Sequence, residues 1–103
     1  MTTKWIISNL ECINNEINTN VVTIVHWRIV GTETIDEKLY ADELYGVTEL
    51  ENLETESFIE FQNLTEADIV SWIEPYVNVP DLMLSLTNRI NAQHNSIQLK
   101  PPF

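Results

Sequence analysis

Residues 21–30, Val-Val-Thr-Ile-Val-His-Trp-Arg-Ile-Val, decide the fold of this chain. Six of the ten are valine or isoleucine, with Thr23 among them, and β-branched side chains pack well on a pleated surface, so the stretch reads as a strand. At about 3.3 Å per residue it spans roughly 30 Å, longer than the five or six residues of an ordinary strand. Strict alternation would place Val21, Thr23, Val25, Trp27 and Ile29 on one face and Val22, Ile24, His26, Arg28 and Val30 on the other. Both faces then carry more apolar surface than water favours, and each needs a cover.

The neighbouring segments supply part of that cover. Lys4–Ile13 reads as a first strand, with Trp5 and Ile7 on one side and Ile6, Leu10 and Cys12 on the other, although its alternation is imperfect. Asn14–Asn20 holds four asparagines, whose short side chains bond local backbone and tolerate left-handed geometry, so it reads as a turn. The long strand should therefore pair antiparallel with the first, end at Gly31-Thr32, and be followed by a third strand over residues 38–47. In that strand Leu39, Ala41, Tyr45 and Val47 face one way. Phe58–Phe61 either adds a fourth strand or anchors a loop.

Helices follow. Thr65 with Asp68 three residues on forms a capping-box pattern, and Leu64 with Ile69 has the spacing of a hydrophobic staple, so a helix should start at Glu66. Ile69, Val70, Trp72, Ile73 and Val77 recur at helical spacing, and Pro75 should kink or end the helix. A second helix should begin near Pro80-Asp81 and continue through Leu82, Met83, Leu86 and Ile90 to about His94. Residues 96–103 form an extended tail because of Pro101-Pro102. The expected fold is α+β: a single domain with an antiparallel three- or four-stranded meander (1–61), two helices packed on one face (62–95) and the tail (96–103). Two helices cover one sheet face. The other, with Val22, Ile24, His26, Arg28 and Val30, is the candidate interface with another chain.

Charge excludes some functions. The net charge is -11, and residues 33–68 hold twelve acids against the single base Lys38, so there is no basic stripe to meet a nucleic-acid backbone directly. The acidic middle reads first as a solvated face and second as a patch for a basic partner. No apolar run reaches the ~18 residues that span a bilayer, and the start of the chain lacks the pattern of a signal peptide. The lone Cys12 has no partner for an internal disulfide, in keeping with an intracellular protein.

Nothing in the pattern carries catalysis. His26 lies in mid-strand and His94 near a helix end, where it complements the negative terminus. Cys12 lacks a nearby histidine or a C-x-x-C partner, and with only two glycines, Gly31 and Gly46, a glycine-rich phosphate loop cannot form. Asp36, Glu37, Asp42 and Glu43 offer oxygens, but the order and glycine of an EF-hand loop are missing. The expectation is a non-enzyme with no cofactor and no metal. Trp5 and Trp27 should be cross-strand neighbours, Trp72 should belong to the core, and Arg28 beside Trp27 suits an interface anchor.

The order of pieces VHWRIVGTET (25–34), ELYGVTEL (43–50), FIEFQNLTEADIVSWIEPYV (58–77), a short amphipathic helix and a terminal PPF (101–103) resembles a family of small tailed-phage proteins of mostly unassigned role. The shared features are a V-x-W-R strand, a Tyr-Gly turn, an L-T-E helix entry with a Trp one turn in, and a proline-aromatic end. That resemblance implies a virion-associated or assembly accessory, in the virion or the host cytoplasm, acting through contacts with itself or other virion proteins. The competing expectation, from charge alone, is an acidic inhibitor or nucleic-acid mimic that binds a basic host or phage protein.

Overall fold

The computed structural model describes residues 1–50, 59–97 and 99–103, and shows an α+β fold. Three antiparallel strands, β1 (Thr2–Ile13), β2 (Val21–Ile35) and β3 (Lys38–Glu49), form a meander in the order β1-β2-β3. Two helices follow, α1 (Glu66–Ile73) and α2 (Val79–Asn95). Residues 59 and 60 are not in a strand and Phe61–Asn63 is a short 3₁₀ turn; Phe58, the start of the expected fourth strand, lies outside the described residues.

The central strand runs further than its sequence indicates. Gly31 lies inside β2, and the reversal comes five residues later at Asp36-Glu37, both with positive φ (51° and 66°). Two residues of that conformation between Ile35 and Lys38 make the type I′ hairpin, whose twist matches that of its strands. Gly31 cannot end the strand because its lack of a side chain serves another purpose. A Cβ there would lie 3.1 Å from Met1 Sδ and 3.4 Å from Leu86 Cδ1, so the bare backbone lets α2 approach the sheet.

Two bulges set which side chains face the helices. Ile7 pairs with Trp27 and Asn9 with His26, so Ser8 is the extra residue of β1; Glu11 pairs with Ile24 and Cys12 with Val22, so Thr23 is the extra residue of β2. Each donates its hydroxyl to the neighbouring strand, Ser8 Oγ to the His26 carbonyl (3.0 Å) and Thr23 Oγ1 to the Glu11 carbonyl (3.2 Å). The Ser8 bulge brings Leu10 and Cys12 to the same side as Trp5 and Ile7, against the sequence expectation that they point away. In the same way the Thr23 bulge turns Val22 inward to join Val25, Trp27 and Ile29.

The core lies between this inner sheet face and the helices, with Val22, Val25, Trp27, Ile29, Leu50, Ile69, Ile73, Leu86 and Ile90 buried. Trp5 stacks edge-on against Trp27 at 5.3 Å between ring centroids, as expected of neighbours on paired strands. Trp72 packs against the core but is only partly buried, less than the helical pattern predicts. The α1 capping box is present: Thr65 Oγ1 accepts the Asp68 N–H (3.2 Å) and Asp68 Oδ2 accepts the Thr65 N–H (3.1 Å). Pro75 ends α1 in a 3₁₀ turn over Glu74–Tyr76. Helix α2 starts one residue before Pro80, where Asn78 Oδ1 caps the Asp81 N–H at 3.1 Å. Arg89 Nε reaches Asp42 Oδ2 (3.2 Å) and Gln93 Nε2 donates to the Ala41 carbonyl (2.8 Å), fastening α2 to β3.

Candidate interaction face

With the helices on one side, the opposite face of the sheet consists of rows of residues drawn from all three strands. The register gives Lys4-Val30-Glu43, Ile6-Arg28-Tyr45, Asn9-His26-Val47 and Glu11-Ile24-Glu49 in successive rows. Four of the five residues expected here, Ile24, His26, Arg28 and Val30, stand on this face, each partly buried between its cross-strand neighbours. The fifth does not. Val22 is a core residue, because the bulge at Thr23 reverses the facing of the strand beyond it.

The face gains residues that the strand alone did not reveal. Tyr45 (81% exposed) and Val47 (60% exposed) flank Arg28 and His26 from β3, and Ile6 flanks Arg28 from β1. The alternation of residues 38–47 already puts Tyr45 and Val47 on one side. Only the pairing register places that side next to Arg28. Tyr45-Gly46, expected to be a turn from the family resemblance, is mid-strand instead. Gly46 faces inward, and a Cβ on it would lie 2.4 Å from Trp27 Cζ2, so the glycine makes room for the indole.

His26 and Arg28 are each paired within the chain. His26 Nε2 meets Glu11 Oε2 at 2.7 Å, and Arg28 Nη1 donates to Glu43 Oε2 at 3.2 Å. Both pairs are partly exposed, so each contributes little to stability on its own. Arg28 and Glu43 set opposite charges side by side on a face that also carries Ile6, Ile24, Val30, Tyr45 and Val47.

Cys12 and His94 stand apart from this face. Cys12 faces the core, and burial raises its thiol pKa, which favours the unreactive protonated form. His94 lies between Tyr40 (Nδ1 to the hydroxyl, 3.2 Å) and Asp36 (Nε2 to Oδ2, 3.5 Å), a contact between the end of α2 and the β2–β3 hairpin. Among the described residues, no three of His, Cys, Asp or Glu are grouped to hold a metal ion, and no helix is long and apolar enough to cross a membrane. Of the acidic middle, Glu51, Glu54 and Glu56 lie outside the described residues.

The chain belongs to the family described as domain of unknown function DUF7936, whose model matches residues 1–102. No curated protein and no solved structure matches it.

Proposed function

We propose that this member of the family is a structural or assembly accessory, of the kind the resemblance to small tailed-phage proteins implies, acting through protein–protein contacts at the outer sheet face. The observation that supports this is the uncovered face itself, where Ile6, Ile24, Val30, Tyr45 and Val47 surround Arg28 and His26 while both helices occupy the opposite side. Apolar side chains exposed between polar and charged ones, as in these rows, suit a surface that meets another protein. The partner that suits it is a second copy. Arg28–Glu43 is a pair of opposite charge, which a two-fold axis can exchange between copies so that the acid meets the neighbour's base. Arg28 is the polar anchor, since its guanidinium holds a carboxylate through two parallel bonds.

The test is the substitution Ile24→Asp, followed by sedimentation velocity and circular dichroism. The expected result is an assembled wild type and a dissociated variant that keeps its secondary structure. A wild type that is monomeric at every concentration, or a variant that associates unchanged, refutes the proposal.

A further inference from the structure

One histidine decides the charge of the outer sheet face. Across its rows the permanent cations are Lys4 and Arg28, and the carboxylates are Glu11, Glu43 and Glu49. Arg28 holds Glu43 at 3.2 Å. Glu11 has His26 instead, with Nε2 2.7 Å from Oε2, and an imidazole is cationic only when protonated. The face therefore carries as many positive as negative groups with His26 protonated, and one uncompensated carboxylate with it neutral.

The surroundings of the ring give Glu11 no other cation at hand. On β1, Asn9 is directly opposite His26 and Glu11 is on the diagonal; on β3, Val47 is opposite, with Tyr45 and Glu49 on the diagonals. On β2 itself, Arg28 is one row away and engaged by Glu43, and Lys4 lies a further row beyond it. In a single copy the side chains of His26 and Glu11 are 32% and 52% exposed, so water screens the carboxylate. Covering the face removes that water. A carboxylate beside a neutral imidazole then becomes a buried charge without a counter-charge, which is costly, whereas beside an imidazolium it belongs to a neutral, hydrogen-bonded pair.

We infer that self-association through the outer face takes up a proton at His26 in each copy, so that the assembly tightens as the solution becomes mildly acidic. This rests on the outer-face reading and adds its regulation. Imidazole is the side chain that changes charge between about pH 5 and 8, so the effect falls near neutrality. An association that binds protons is favoured by acid, its equilibrium constant rising by up to about tenfold per proton for each pH unit.

The test is sedimentation equilibrium of the full-length wild type, His26→Gln and His94→Gln across about pH 6 to 8. Glutamine keeps an N–H donor for Glu11 but does not titrate. His94, between α2 and the β2–β3 hairpin, is the control for a mere change in net charge. The expected result is a dissociation constant about tenfold or more lower at the acid end for wild type and His94→Gln, and nearly constant for His26→Gln. A wild-type dimer indifferent to pH, or a His26→Gln dimer that tightens as wild type does, overturns this inference and leaves the outer-face reading in place. Equal loss of the pH dependence in His94→Gln overturns it in favour of net charge. A wild type that is monomeric throughout overturns both readings. Should His26→Gln fail to fold or to associate, Glu11→Gln decides, because without the carboxylate there is no charge for the proton to neutralise. Its dimer should be indifferent to pH, and one that tightens like wild type refutes the inference.

Discussion

The indole of Trp27 occupies the space that a side chain at Gly46 would need: a Cβ at that position would lie 2.4 Å from Trp27 Cζ2 and 2.9 Å from Cε2. Trp27 is buried and its Nε1–H is satisfied by Thr48 Oγ1 at 2.9 Å, so the ring is held from two sides and cannot turn away without losing a buried hydrogen bond. Gly46→Ala should therefore destabilise the protein by about 1–3 kcal/mol, the usual range for overpacking a core. Urea melts check this, and a double-mutant cycle with Trp27→Leu should recover part of the loss, because the smaller side chain vacates the clash.

Ser8 is the extra residue of a bulge, so its removal restores regular pairing while Trp5, Ile7, Leu10 and Cys12 keep facing the core. Deleting Ser8 should leave a folded protein, at a cost of about 1 kcal/mol for its bond to the His26 carbonyl. Deleting Val30 from the regular part of β2 should abolish cooperative folding, because a one-residue slip turns part of the strand's core set toward solvent. Near-ultraviolet circular dichroism of the two deletions distinguishes these outcomes.

Glu37 holds a left-handed backbone (φ 66°) in the β2–β3 hairpin, a conformation that costs a residue with a Cβ roughly 1–2 kcal/mol and costs glycine little. Glu37→Gly should thus raise stability by up to about 1 kcal/mol, the gain being reduced by the greater freedom of glycine in the unfolded chain. Thermal melts that show a loss instead would mean that the Glu37 side chain contributes more to the hairpin than its backbone conformation costs.

Asp42 links α2 to β3. Partial burial opposes its charge, yet the Glu43 N–H, Arg89 and the Gln93 amide together outweigh that cost and hold its pKa below the ordinary 3.8. A carboxyl with a lowered folded pKa favours the folded state while it is ionised, so its contribution is complete above the ordinary value and is lost as pH falls through the folded one. The stability difference between wild type and Asp42→Asn should accordingly be constant near neutrality and shrink below about pH 4. Urea midpoints at several pH values measure it; a gap that persists unchanged in acid would assign the effect to shape rather than charge.

By itself the amino-acid sequence determined the elements that depend on neighbours along the chain. The β-branched run of residues 21–30 makes a strand in any setting that buries it, and Thr65 with Asp68 starts α1 where the capping pattern says, because both bonds of the box close within four residues. The order of strands and helices, and hence an α+β fold with one sheet face uncovered, follows from those local signals. Tertiary structure alone decided which side chains of β1 and β2 share a face. A bulge leaves no mark on composition: Ser8 and Thr23 are the extra residues only because of what stands opposite them, and that is why Val22 left the outer face for the core. The same holds for the two glycines. Each resembles a turn residue in sequence, yet both lie within strands because Gly31 meets Leu86 and Gly46 meets Trp27, across distances in the chain that no local pattern encodes.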